Sequence, residues 1–337
     1  MDNSKVIDAL EAPSSRTASQ IDFLNVLRGI AASLVVLFHL TVFAGAPYKN
    51  IITTNGDVGV DVFFLISGLV IPLSLTGRDY SVAKWPRFML KRMIRLQPAY
   101  LISVALCIVL LEISQRVPGF KGAGGHVTLG QFAANVFYAV PFTGTEWVNP
   151  VYWTLTYEMV FYIVLGVVFT PLFSRHIAYS AIFTTLVVLL LRVVTGHWDY
   201  LPTEFFLGGA LMRWYVGRDR PLVTAIAVAA SFVVLATLAG AASLIAVAIA
   251  TGGVVLLRER RFPAWLMLLG DISYSLYLIH IPIGSRVMNL GQRLGHGVLI
   301  EGAVLIVAVV ITLVAAWLLY RLVEAPSQEM SRRFARL

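Results

Sequence analysis

Residues 21–43 read IDFLNVLRGIAASLVVLFHLTVF. The run is apolar and long enough to cross a bilayer, which takes about 20 residues at helical rise. Arg28 and His39 nevertheless lie inside it, eleven residues apart. Eleven steps of about 100° come close to three full turns, so both side chains fall on one face, about 16 Å apart along the axis. A charge at mid-bilayer costs roughly 2.5–3.5 kcal/mol even on the gentler insertion scale. Two ionisable groups on one stripe therefore predict a polar interior lined by this helix, with the rest of the chain as its walls.

Composition agrees with a membrane protein of many spans. The chain has 337 residues, 58% of them hydrophobic and 13% charged, where a soluble globular protein carries about 25% charged residues. Internal repeats and low-complexity runs are absent. The single cysteine, Cys107, sits in an apolar run. One cysteine excludes an intramolecular disulfide and argues against a cysteine-based metal site, and an apolar setting fits a small buried hydrophobe better than a nucleophile.

Residues 1–20 are polar and rich in Ser and Ala. The apolar run after them is too long for a cleaved signal and lacks a small-residue cleavage site, so they read as a disordered cytoplasmic tail. Apolar windows predict an all-α polytopic domain over 21–327, with ten spans at about 22–43, 58–76, 97–113, 150–172, 177–194, 202–216, 221–239, 242–257, 264–288 and 298–322. A basic cytoplasmic tail follows at 328–337. Val127–Phe142, short and flanked by Gly-rich polar sequence, reads as an interfacial or re-entrant helix.

Orientation follows from Lys and Arg in the loops. With the N-terminus inside, the inner loops hold twelve such residues and the outer loops four: Lys49, Arg116, Lys121 and Arg293. Both termini are therefore expected in the cytoplasm, and the net charge of +8 belongs to an inner membrane face rather than to a nucleic-acid site. Within the loop Gly77–Gln97, the stretch WPRFMLKRMIRLQP gathers Arg87, Lys91, Arg92 and Arg95 into about two turns, mixed with Phe88, Met89, Met93 and Ile94. Such an amphipathic cationic face suits anionic lipid. It equally suits a phosphorylated ligand, whose oxygens Arg grips two at a time.

Further ionisable groups sit inside the predicted spans. Asp57 and Asp61 lie on one face near the outer end of the second, Glu158 about two turns into the fourth, and Asp271 and His280 at opposite ends of the ninth. His39, Asp61, Glu158 and His280 thus share one expected depth toward the outer side, with Arg28 deeper. A lone intramembrane histidine is most simply a structural group. Four ionisable residues at one depth on four helices predict a functional cavity.

These residues also carry a family resemblance. Arg28-Gly-Ile-Ala-Ala with Val35-Val36-Leu37-Phe38-His39 is similar to the first helix of the membrane acyltransferase-3 family, marked by an Arg and a His with ten residues between them. Residues 59–68 (GVDVFFLISG) resemble its second helix, and Arg92-Met-Ile-Arg95 its Arg-x-x-Arg loop. Trp153-Thr-Leu with Glu158, Phe205-Phe-Leu-Gly-Gly, residues 270–282 (GDISYSLYLIHIP) and Glu324-Ala-Pro match later blocks in order. The resemblance implies ten transmembrane helices and transfer of an acyl group, often acetyl, from acyl-CoA to a hydroxyl, usually on a carbohydrate. Some members carry a fused extracytoplasmic SGNH-hydrolase-like domain. With the sequence ending at Leu337, no such domain is expected here, and direct transfer, or transfer through a separate protein, is expected.

A hydroxyl is a poor nucleophile at neutral pH, so acyl transfer needs a base. His39 is the candidate, with Glu158 first and Asp61 second as the carboxylate that would orient it, as in triad logic. Arg28, Lys91, Arg92 and Arg95 are candidates for holding the CoA phosphates, and Trp153, Tyr157, Tyr274 and His280 for contacting the acceptor. No metal is expected. A covalent acyl-enzyme through His39 or Ser67 stays open, although Ser67, next to Gly68 and before Pro72, reads more simply as a helix-packing residue. The competing readings are a transporter of a small anionic or sugar-linked substrate, and a lipid- or glycan-binding membrane protein without catalysis.

Overall fold

The computed structural model describes residues 22–44, 55–76, 80–117, 125–169, 203–295 and 297–334. The expected span at 177–194 and the loop residues Lys49, Arg78, Lys121 and Arg175 lie outside them. Among the described residues every regular element is helical. The helices are α1 (Asp22–Thr41), α2 (Val58–Leu75), α3 (Trp85–Gln115), α4 (Leu129–Val136), α5 (Val140–Thr143), α6 (Trp153–Val168) and α7 (Glu204–Tyr215). They continue as α8 (Pro221–Leu238), α9 (Ala241–Leu257), α10 (Ala264–Asp271), α11 (Ser273–Ile279), α12 (Arg286–Gly291), α13 (Val298–Leu319) and α14 (Ala325–Phe334). Five helical stretches among the described residues are long and apolar enough to cross a membrane, or six if the bent pair Ala264–Asp271 and Ser273–Leu294 counts as one. α7, of 12 residues, is too short to span alone.

The structure differs from the sequence reading around residues 77–97. The basic stretch is no separate loop: α3 runs unbroken for 31 residues from Trp85 through Pro98 to Gln115. Phe88 and Arg92 of this stretch are buried within the helix bundle. Residues 127–142 form the two short helices α4 and α5, in keeping with a segment that does not span. The C-terminal basic segment is helical to Phe334 and packs on α3, with Ser331 Oγ donating to Lys91 O at 2.8 Å.

The inner layer is set by close backbone crossings. A Cβ on Gly68 of α2 would sit 2.3 Å from Phe205 O, and one on Gly208 of α7 would sit 2.2 Å from Leu65 O. Only glycine at both places lets these two helices meet, the small-residue solution that lipid-embedded helices favour. The same holds for α1 against α10, where a Cβ on Gly270 would lie 2.1 Å from Asn25 O. Asn25 Nδ2 secures that crossing by donating to Met267 O at 3.0 Å and to Asp271 Oδ1 at 2.8 Å.

α11 is the central element, with all seven of its residues buried. It is followed by a π-helical turn, His280–Ser285. Pro282 has no N–H to give the carbonyl four residues back, so Leu278 O needs other partners. Ser103 Oγ and Asn149 Nδ2 supply them, both at 3.0 Å. These bonds tie the start of the π turn to α3 and to the segment before α6. π turns of this kind recur at functional sites.

Candidate active site

One cavity lies among α1, α2, α3, α6 and α11. Its volume is about 110 Å³, room for a narrow chain of atoms and below the few hundred to about 1,000 Å³ usual for small-molecule sites. Three arginines reach it: Arg28 from α1, and Arg92 with Arg95 from α3. Arg92 and Arg95 are three residues apart on one helix and share a face. Arg28, Arg92, Tyr162 and Glu324 all lie within electrostatic reach of Arg95. The Arg92 guanidinium sits over the rings of Phe88 and Tyr162, 5.6 and 5.4 Å from their centroids, and donates to Ser74 Oγ at 3.0 Å. Stacking and hydrogen bonding hold the guanidinium plane in place. Among the described lining residues three guanidiniums stand against one carboxylate, Glu158, an excess of positive charge.

Glu158 accepts from Ser67 Oγ at 3.1 Å and forms a short hydrogen bond with Tyr162 OH. Tyr162 follows Glu158 by one turn, so the short bond is a local i,i+4 contact. The sequence reading gave Glu158 the work of orienting His39. The structure gives that carboxylate to Ser67, Tyr162 and the arginine-lined cavity. Asp61, the second choice, is buried on α2 within electrostatic reach of Glu204 on α7.

His39 meets a different partner. Its Nδ1 lies 2.9 Å from Val35 O and 3.2 Å from His280 Nε2, and the two imidazole centroids are 5.0 Å apart. His280 is fully buried, and its Nδ1 lies 2.7 Å from Tyr277 O. The histidine pair adjoins the cavity through one aromatic layer. Tyr277 and Phe63 both line the cavity, their rings 5.8 Å apart, and the Tyr277 ring is also 5.8 Å from that of His280. Tyr277 OH is fixed by Thr154 Oγ1 at 2.7 Å and Val151 O at 3.1 Å.

The remaining candidates divide. Tyr274 lines the cavity and donates to Leu96 O at 3.1 Å. Trp153 and Tyr157 pack edge to face, 5.5 Å between centroids, and Tyr157 is buried against Phe64, so this pair forms a wall behind the lining. Lys91 lies at the seam with α14, where its carbonyl accepts from Ser331.

The sequence reading assigned no role to Glu324 or Tyr162. Glu324 is buried in a π turn, Tyr320–Glu324, and accepts from Ser275 N at 3.2 Å and Ser275 Oγ at 2.6 Å. It is within electrostatic reach of Arg28 and Arg95. Its sequence signal was present: an acidic residue closing a long apolar run. Among the described residues no group of three or more His, Cys, Asp or Glu side chains could hold a metal.

No solved structure matches this chain. Three curated proteins are similar to it along most of its length. "Putative membrane-bound transacylase BcsY" of Komagataeibacter xylinus is 31% identical, over 91% of this chain and 83% of the relative. "Exopolysaccharide production protein ExoZ" of Rhizobium meliloti is 29% identical, over 78% and 86%. "Acyltransferase MdmB" of Streptomyces mycarofaciens is 25% identical, over 84% and 83%. A family model, described as an acyltransferase domain, matches residues 21–321. That span takes in both the arginine-lined cavity and the histidine pair, and the chain belongs to the membrane acyltransferase-3 family.

Proposed function

We propose that this membrane acyltransferase moves an acyl group, acetyl in the simplest case, from acyl-CoA to a hydroxyl of a carbohydrate or glycoconjugate. The observation that carries the reading is the grouping of Arg28, Arg92 and Arg95 on one cavity, with the His39–His280 pair one aromatic ring beyond it. CoA is a polyanion with a long uncharged arm ending in a thioester. The arginine end suits its phosphates. The arm then runs along α1 toward His39, past Tyr277.

The chemistry of the transfer is simple in outline. His39 takes the proton of the acceptor hydroxyl as its oxygen attacks the thioester carbonyl. The C–O bond forms, the C–S bond breaks, and the thiolate leaves with the proton returned by His39. Glu158 and Tyr162 lie beside the arginines and keep the donor end ordered. The name of ExoZ, an exopolysaccharide production protein, favours a glycan acceptor. The excess of Lys and Arg in the inner loops supports a reading in which the arginine end faces the cytoplasm, the side where acyl-CoA is made; the cytoplasmic membrane is part of the same proposal.

The test compares surface glycans and lipids by mass spectrometry from cells with the protein, without it, and with His39→Ala. A species heavier by one acyl group, present only with the parent protein, is expected. Identical spectra in all three, together with failure of the purified protein to release CoA from acyl-CoA with a glycan acceptor, overturn the reading.

A further inference from the structure

The three short contacts of the histidine pair admit one arrangement of protons. Val35 O and Tyr277 O are carbonyls and can only accept. His39 Nδ1, 2.9 Å from Val35 O, must therefore carry hydrogen, and so must His280 Nδ1, 2.7 Å from Tyr277 O. A neutral His280 then presents a lone pair at Nε2, 3.2 Å from His39 Nδ1. The reverse assignment, with His280 Nε2 donating, leaves His39 Nδ1 bare against Val35 O. A doubly protonated His280 fails in the same way. All three contacts are satisfied only if His39 Nδ1–H is shared between Val35 O and His280 Nε2. The one nitrogen of His39 left with a lone pair is Nε2.

From this geometry we infer that His280 is a positioning residue for His39, holding its ring so that Nε2 is the basic atom and accepting from Nδ1–H as the imidazolium forms. The inference rests on His39 being the base of the proposed transfer. A carboxylate fills this place in familiar triads. Here a neutral imidazole fills it, braced by a helix carbonyl. The rest of the setting agrees. His280 is fully buried, it is the first residue of the π turn with its Nε2 3.2 Å from His39 on α1, and the Ser103 and Asn149 bonds to Leu278 O anchor the backbone just before it. His280 gives up no proton in the reaction. Its part is orientation and charge stabilisation, which act in the transition state more than in binding.

Two measurements test it in the full-length protein in lipid bilayers. In ¹⁵N-histidine-labelled protein at alkaline pH, the His39 resonances, identified by their loss in His39→Ala, should show a protonated Nδ1 and an unprotonated Nε2. The opposite tautomer overturns the inference whatever the activity. In acyl transfer, His280→Phe should lower turnover about 10- to 100-fold, less than the 10²–10⁴ of the base itself, with the KM for acyl-CoA unchanged. His280→Gln places an amide oxygen near the former Nε2 and should recover part of the loss. Equal activity of His280→Gln and His280→Phe, or full activity of His280→Phe, overturns the inference while the reading of His39 stands. Full activity of His39→Ala overturns the reading itself.

Discussion

Ser67 and Glu158 stand 91 residues apart in the chain and meet on the wall of one cavity, Ser67 Oγ donating to Glu158 Oε1 at 3.1 Å. The bond holds the carboxylate at the junction between the arginine end and the aromatic layer. It also gives Ser67 a defined task, that of a hydrogen-bond donor. Ser67→Ala should therefore slow transfer by about tenfold or less, the worth of one hydrogen bond. Glu158→Gln should cost more, because it removes the one carboxylate among the described lining residues. Complete loss of activity in Ser67→Ala, with an acylated Ser67 trapped in the parent protein by mass spectrometry, would instead show a covalent intermediate.

Arg92 and Arg95 should each matter for the donor, and Lys91 should not. Arg92→Ala and Arg95→Ala are expected to raise the Kd for CoA by about tenfold or more, since charge-assisted hydrogen bonds contribute about 1.5–3 kcal/mol. Arg92→Lys should recover only part of this, because an ammonium can neither fork across two oxygens nor stack flat on Phe88 and Tyr162. Lys91→Ala should bind as the parent does. Calorimetric titration with CoA distinguishes the three. Parent-like affinity in both arginine variants would make the basic face a lipid contact.

Glu324 should act on stability first. It serves Ser275 N, Ser275 Oγ and Gln328 at once and is buried beside two arginines. Glu324→Ala strands those donors and should destabilise the protein by about 2–5 kcal/mol. Glu324→Gln retains an acceptor and should cost less. Thermal unfolding in detergent reads both, and a parent-like melting temperature for Glu324→Ala would remove the residue from the support of α11.

The crossing of α2 and α7 makes a steric prediction. Gly208→Ala sets a methyl 2.2 Å from Leu65 O, a contact no rotamer change relieves. The helices must separate, at a cost of about 1–3 kcal/mol. Gly252→Ala, with open space around it, should cost nothing of the kind and gain slightly in helix propensity. Equal melting temperatures for the two variants would contradict the close crossing.

Topology can be read by labelling. Cysteine introduced at Arg293 should react with an impermeant reagent in intact cells, and cysteine at Arg260 should react only after lysis. The reverse pattern inverts the orientation.

Much of this arrangement was legible in the sequence, and the limits were geometric. Arg28 and His39 announced a polar stripe because helical periodicity fixes angle and spacing within one helix. Arg92 and Arg95 were legible as a pair for the same reason. What periodicity cannot supply is rotation between helices. His39, Asp61, Glu158 and His280 were expected at a shared depth, but depth does not say which groups face each other. Glu158 turns to Ser67 and Tyr162, Asp61 lies toward Glu204, and His39 takes His280. The unbroken course of α3 was hidden as well, because a run of cations followed by Pro98 reads as a loop. The π turn at His280 follows from Pro282 only once Ser103 and Asn149 are seen to serve Leu278 O.

The aromatic layer of Phe63 and Tyr277 has an electrical consequence. An arginine-lined vestibule on one side and a pair of imidazoles on the other, joined by continuous water, would form a wire for protons across the bilayer. Tyr277, on the cavity wall and 5.8 Å from the His280 ring, stands between the two groups, with Phe63 packed 5.8 Å from it. Under the transfer proposed above, with donor and acceptor in different compartments, Tyr277 is the group that would have to limit proton leakage between them.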